Sequence, residues 1–263
     1  MDKEFLKECL LNGDSTRDIE NKTGIDHRKI AMLVKKFELQ EFYKHKKNKK
    51  FLFEKIDSKE KAYSLGFILA DGHIGKDNVV EITTSKADRE VVEYIASVIF
   101  SNVFVDDKLD KKKRRFPSVS THKKITDVTK FTGGRLKAER HYPRVREDLE
   151  RYLIQGLFDA DGCITWGRRK DKNRIWQKVC FTSQLNILSG VQQYLINKLQ
   201  ISTTLRPKSN ENCFVLEFSN RNDVLKFLNH IYPNDSFIIL SRKYAKYKAL
   251  RLELEENGES TAM

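Results

Sequence analysis

The chain has little of what marks several protein classes. It holds 4 cysteines in 263 residues, Cys9, Cys163, Cys180 and Cys213, and none forms a C-x-x-C pair. No histidine stands at zinc-ligand spacing from them. A disulfide scaffold and a Cys/His zinc site are therefore excluded, and the four read as reduced packing residues. No apolar run reaches the ~18–20 residues that span a bilayer. The opening Met1-Asp2-Lys3-Glu4 has none of the character of a secretory signal. These absences predict a soluble, intracellular protein of cytoplasm, nucleoid or organelle, with no membrane partner. Acids are also short: 37 Asp and Glu against 50 Lys and Arg leave a formal charge of +13. Such an excess suits a polyanion, because Lys and Arg neutralise phosphates and release their counterions. Ribosomal and chaperone-like proteins share the trait, so charge alone does not select nucleic acid. Hydrophobic residues, 39% of the chain, suffice for two modest domains or one large domain with an appendage.

The first 43 residues read as three short helices. Lys3 to Leu11 carries an apolar face, and Asn12-Gly13-Asp14 breaks it. Ser15 can cap a second helix, with Asp18 as its capping-box partner. That helix stops at Thr23-Gly24, where glycine suits a left-handed turn. Asp26 caps a third helix to about Phe37, with Ile30, Leu33, Val34 and Phe37 on one face. Helix, turn and helix predict a helix-turn-helix whose last helix turns His27, Arg28, Lys29, Lys35 and Lys36 outward to DNA. A small packing unit with a solvated basic face is the alternative. Residues 44–57 form a basic linker in which Lys46 and Lys47 are set to track phosphates.

From residue 58 the chain repeats itself, over 58–146 and then 147–263. Each unit is expected to run helix, two strands, helix, two strands, helix. The first helix ends in Gly66-Phe67-Ile68-Leu69-Ala70-Asp71-Gly72, and its repeat ends in Gly156-Leu157-Phe158-Asp159-Ala160-Asp161-Gly162. Gly66 and Ala70 share a helix face, as do Gly156 and Ala160, and small residues at that spacing let two backbones approach closely. If these helices pair, Asp71 and Asp161 meet at their carboxyl ends. Two unit charges ~4 Å apart repel by about 4 kcal/mol at an effective dielectric near 20, and both helix dipoles disfavour anions there. A divalent cation resolves both problems, which points to metal-assisted phosphodiester hydrolysis with Mg2+ or Mn2+. Asp-Gly alone is a common helix stop. Two copies, each preceded by Gly-x-x-x-Ala, argue for a site.

The two segments resemble the LAGLIDADG motif of homing endonucleases, the second more closely, over about residues 58–255. The resemblance implies an α+β fold of duplicated αββαββα units related by a pseudo-two-fold axis, with two four-stranded antiparallel sheets forming a saddle for DNA. It implies a monomer that cuts both strands of a long, near-asymmetric duplex target and leaves short 3′ overhangs, as in intron homing. Asp71 and Asp161 would bind metal, with the backbone carbonyls of Ala70 and Ala160. Asp159 would lie off the metal as a surface or capping group. The family's lysine near the attacking water corresponds to Lys137 in the first unit. In the second it aligns with Ser241, with Lys243 two residues on. Thr84 and Ser183 would order catalytic water. Lys113, Arg114 and Arg115, and a second hairpin from Gly167 to Arg174 with Arg168, Arg169, Lys172 and Arg174, would reach phosphates. Trp166 and Trp176 are expected to pack, and His122 and His141 to be ordinary polar residues. A DNA-binding transcriptional regulator and an RNA-splicing maturase on the same fold remain alternatives.

Overall fold

The computed structural model describes residues 1–11, 14–40, 42, 55–76, 79–99, 105–109, 115–120, 128–169, 174–208, 213–233, 238 and 240–259. The chain divides into two compact units, residues 1–52 and 53–263. None of the described helices is long and apolar enough to cross a membrane.

In the smaller unit, helices α1 (Lys3–Leu11), α2 (Thr16–Thr23) and α3 (His27–Lys36) enclose Leu6, Cys9, Leu10, Ile19, Ile30, Val34 and Leu39. The local signals in the sequence are all used. Ser15 Oγ accepts from the Asp18 amide while Asp18 accepts from the Ser15 amide, a reciprocal capping box. Gly24 ends α2 with φ +69°, and the Asp26 carboxylate accepts from the Arg28 amide to start α3. Arg28, Lys29, Lys35 and Lys36 are exposed on α3, and Leu33 and Phe37 pack at the edge of the core. Lys46 and Lys47 lie outside the described residues.

The larger unit carries the repeat. Its first half runs α4 (Lys59–Asp71), β1 (Gly72–Ile74), β2 (Val80–Thr83), α5 (Arg89–Ile99), β3 (Val105–Leu109), β4 (Arg115–Ser120) and a short α6 (Val128–Thr132). Its second half runs α7 (Glu147–Asp161), β5 (Gly162–Arg169), β6 (Arg174–Ser183), α8 (Leu185–Leu199), β7 (Thr204–Pro207), β8 (Phe214–Phe218), α9 (Arg221–Ile231) and α10 (Ser241–Glu259). Two antiparallel four-stranded sheets have the same order, β1-β2-β4-β3 and β5-β6-β8-β7. This is the α+β duplication expected. One hydrophobic core serves both halves. It holds Val80, Ile82, Val92 and Ile95 from the first and Ile164, Val179, Phe181, Leu216 and Phe227 from the second, joined by α4 and α7.

Two strands run further than expected. Gly167, Arg168 and Arg169 belong to β5 and Arg174 to β6, with Arg169 paired to Arg174. The β-prone alternation continues through the basic residues, so they alternate between the faces of the sheet.

Candidate active site

Helices α4 and α7 pack backbone on backbone, and the cause is one glycine on each. A Cβ on Gly66 would lie 2.1 Å from the Leu153 carbonyl oxygen and 2.8 Å from the Leu157 nitrogen. A Cβ on Gly156 would lie 2.0 Å from the Tyr63 carbonyl oxygen and 3.0 Å from the Phe67 nitrogen. The two contacts exchange under the same register offset that relates Asp71 to Asp161, so the pairing has pseudo-two-fold symmetry about the helix crossing. Ala70 is buried, and Ala160 packs partly buried against the same core. Beyond each acid, Gly72 and Gly162 begin β1 and β5 at once, pairing with Ile82 and Phe181.

The acids are half-buried, and the surroundings resist their ionisation. Burial pushes the Asp71 carboxyl above its ordinary value, against the pull of the Lys137, Lys243 and Arg242 charges. Asp161 is pushed up to about 6, first by burial and then by the negative charge of Asp71, with Lys137, Lys243 and Arg140 opposing. A buried acid set beside a second negative charge, as Asp161 is beside Asp71, gains from a cation. Carboxylate oxygens at two helix ends, with carbonyl oxygens beside them, are the hard donor set of Mg2+ or Mn2+.

Two buried cations finish the helix ends. Arg140, 1% exposed, donates from Nη1 to the Ile68 and Leu69 carbonyls at 3.1 and 2.9 Å, and from Nη2 to the Gly72 carbonyl at 2.8 Å. Lys243, 3% exposed, donates from Nζ to the Phe158 and Asp159 carbonyls, the latter at 2.7 Å. Ile68 and Leu69 hold the places in α4 that Phe158 and Asp159 hold in α7. A helix end leaves about four carbonyls without partners. The cations take two at each end, and the next carbonyls along are those of Ala70 and Ala160. A positive charge there also offsets the negative pole of each dipole. Burial brings the Lys243 ammonium down to about 8, against the nearby carboxylates.

This placement corrects the expected correspondence. Lys243, expected near the attacking water two residues past the position aligned with Lys137, is instead the structural counterpart of Arg140. Its amine lies inside the fold, whereas Lys137 is exposed in a short 3-10 turn within electrostatic reach of both acids. Asp159 is a second correction. It is fully buried rather than on the surface, and its carboxylate accepts from Tyr63 Oη at 2.8 Å and from Tyr232 Oη. Burial raises its pKa to about 6 while both tyrosines and Lys243 pull it down. This network ties α4, α7 and the end of α9 together behind the site. Replacing Lys243 with methionine removes a donor from two buried carbonyls and takes away the positive charge that favours the ionised Asp159 carboxylate. The expected cost is about 2–4 kcal/mol, with Lys243→Arg losing less. A thermal melt reads it, and a midpoint within about 2 °C of wild type would show that the ammonium does not hold the end of α7.

The remaining candidates separate. Thr84 follows β2 and donates from Oγ1 to Asp88 at 3.2 Å, and Ser183 ends β6, half-exposed. In the second sheet Ile164 faces the core, so Cys163, Thr165 and Arg169 lie on the opposite face with Lys178 and Cys180. Arg168 falls on the helix side, where it meets Glu253 of α10 at 3.4 Å. Arg169 is exposed on the outer face. Trp166 packs on the core as expected. Trp176 is 40% exposed on the outer face, over Gly167, contrary to the expected packing role. On the same face Glu217 accepts from Lys178 at 3.3 Å and from Arg206 at 3.2 and 3.3 Å, a pairing across three strands that single-residue reading missed. Arg115 opens β4 and Arg174 opens β6, while Lys113, Arg114, Lys172 and His122 lie outside the described residues. His141 is exposed, like an ordinary polar residue.

With the doubled helix pair and its two sheets in view, comparison with known proteins is specific. Residues 148–232 match the family model described as LAGLIDADG-like domain. No curated protein matches the sequence. Among solved structures, meganuclease I-SmaMI bound to uncleaveable DNA with a TTGT central four is similar at 14% identity and a TM-score of 0.52, over 76% of this chain and 90% of that one. I-SmaMI bound to an uncleaved DNA target in the presence of calcium ions gives 10% identity and 0.52, over 77% and 93%. The I-LtrWI LAGLIDADG homing endonuclease bound to target DNA gives 11% and 0.51, over 76% and 91%. At these identities the likeness is one of fold. The larger unit is a two-repeat LAGLIDADG fold in a single chain.

Proposed function

We propose that the protein is a site-specific endonuclease for double-stranded DNA, of homing type, acting as a monomer on a long, near-asymmetric target. One observation carries the reading: the reciprocal glycine contacts bring two ionisation-resistant aspartates to one place, at the ends of paired helices between two equivalent sheets. Asp71 and Asp161, with the carbonyls of Ala70 and Ala160, would hold Mg2+ or Mn2+. The metal, when bound, supplies Lewis acidity for water activation and for the leaving oxygen. The protein's own residues do the rest. Arg140 and Lys243 fix the helix ends that carry the acids. Lys137 presents an exposed amine beside them. Thr84 and Ser183 offer hydroxyls for ordering water. Thr165, Arg169, Trp176, Lys178 and Arg206 present donors and an aromatic edge on the outer face of the second sheet, suited to phosphates and base edges. The smaller unit acts as a helix-turn-helix that adds contacts through Arg28, Lys29 and Lys35.

A randomised duplex library tests the reading. Incubation with Mg2+ or Mn2+ is expected to yield cut ends that share one long site and carry short 3′ overhangs. Tight, selective binding with no cutting under any divalent ion would instead identify a regulator. Removal of residues 1–52 tests the smaller unit. The salt slope of binding is expected to fall by about 2–3, for three lost phosphate contacts, with at least about tenfold weaker binding. An unchanged slope and site preference would rule out DNA contact by that unit.

A further inference from the structure

We propose that Arg242 grips a phosphate of the strand cut beside Asp71, and that Asp88, reaching across from the other repeat, is the residue that positions it. The proposal rests on the endonuclease reading above. Arg242 is the second residue of α10, next to Lys243, whose ammonium is buried against the acid-bearing end of α7. Arg242 turns the other way, and its side chain is 45% exposed. Its Nε donates to both carboxylate oxygens of Asp88, at 2.7 and 3.0 Å. Asp88 is 3% exposed and also accepts from Thr84. The guanidinium makes no other hydrogen bond among the described residues. Nη1 and Nη2 therefore keep their donors for a ligand, in the fork geometry that suits a phosphate. An exposed arginine normally loses rotamer freedom when it binds. Here a buried carboxylate has already fixed the plane, so less is lost. The guanidinium lies close enough to Asp71 to favour its charged form.

Among the described residues the device has no counterpart at the equivalent positions of the other repeat. Counted from Ile82 and Phe181, which pair with the glycines after the two acids, the residue equivalent to Asp88 is Ile187, 1% exposed. The residue equivalent to Arg242, counted from Arg140 and Lys243, is Glu139. The first repeat contributes Lys137 to the site and the second contributes Arg242, an unequal pair. In the step, a water oxygen bonds to phosphorus as the bridging oxygen departs. Water gives up a proton to solvent and the leaving oxygen takes one, giving a phosphate monoester and a hydroxyl. Arg242 would bear on the charge gathering on the non-bridging oxygens.

The test uses the full chain and a supercoiled plasmid carrying a site selected by the wild-type protein in Ca2+. Arg242→Met is expected to slow one strand by ~100-fold and leave the other within ~3-fold, so nicked circles accumulate. Arg242→Lys, which keeps the charge but not the fork, should recover only part of that rate, and Asp88→Asn should slow the same strand by ~10-fold. Because Arg242→Met strands a buried carboxylate, the double variant Asp88→Asn/Arg242→Met is run alongside it. It should melt near wild type and nick in the same way. A second readout does not need cutting. In Ca2+ the salt slope of binding should fall by about one for Arg242→Met and not for Arg242→Lys. Equal slowing of both strands that tracks a loss of melting temperature, or normal cutting with an unchanged slope, overturns the proposal and leaves the nuclease reading standing. If the wild type cuts under no metal, the nuclease reading fails. The slope then decides alone: a fall supports the phosphate contact and no change overturns it.

Discussion

Gly156→Ala is expected to destabilise the larger unit by at least about 3 kcal/mol, enough to lower its melting temperature by roughly 6–12 °C. The added methyl would sit 2.0 Å from a backbone oxygen of the facing helix, and backbone cannot swing aside as a flexible side chain can. Relief requires α4 and α7 to separate by an ångström or more, and the core is shared across that seam. Gly66→Ala meets the Leu153 carbonyl at 2.1 Å and should behave the same way. Gly75→Ala is the control, since its methyl would meet nothing closer than 3.6 Å. If all three variants melt together, the helices are not in backbone contact. The same displacement moves Asp71 and Asp161 apart, so divalent-ion affinity should fall even at temperatures where the variant stays folded.

Asp161→Asn is expected to trade activity for stability. The folded carboxyl titrates at about 6, above its ordinary 3.8. An acid whose folded pKa is raised binds more protons folded than unfolded. Wild-type stability therefore falls as pH climbs from about 4 to about 6 and stays low above that. The shift corresponds to roughly 3 kcal/mol above pH 6. The asparagine protein carries no such charge. It should melt higher than wild type at pH 7–8 without metal, and the gap should close near pH 4. Mg2+ should raise the wild-type midpoint and leave the variant's nearly unchanged. A variant that melts lower than wild type at pH 8 would mean that Asp161 is stabilised as an anion by the fold itself.

Much of this was legible in the sequence because it depended on local spacing. The duplicated Asp-Gly ends, each with a glycine four positions before the alanine that precedes the acid, specified both the helix pairing and the meeting of the acids. The first capping box was readable from Ser15 and Asp18 for the same reason. What was not legible depended on long-range placement. Arg140 and Lys243 carry no distinguishing neighbours, and only the folded chain shows that each reaches a helix end 68 to 85 residues away. Lys243 was read as an amine for the attacking water because it stands two residues past Ser241, the position aligned with Lys137, and nothing local shows that its side chain turns into the fold. Asp159 read as a surface acid because a helix-end carboxylate normally is one, and its partners Tyr63 and Tyr232 come from other elements. Arg168 and Arg169 looked alike in a basic run. Once β5 extends through both, they must point in opposite directions, and only Arg169 stays on the outer face. Asp88 and Arg242 belong to different repeats, so no periodicity within either could join them.

Cleavage of a selected duplex by the wild-type, Asp71→Asn and Asp161→Asn proteins, in Mg2+ and in EDTA, tests the single shared site most directly. Each substitution should cut the rate by at least about 1,000-fold in Mg2+ while binding in Ca2+ stays within a few-fold of wild type, and EDTA should abolish wild-type cutting. Cutting at the wild-type rate by either variant, or wild-type cutting that persists in EDTA, would contradict a metal site built from both aspartates.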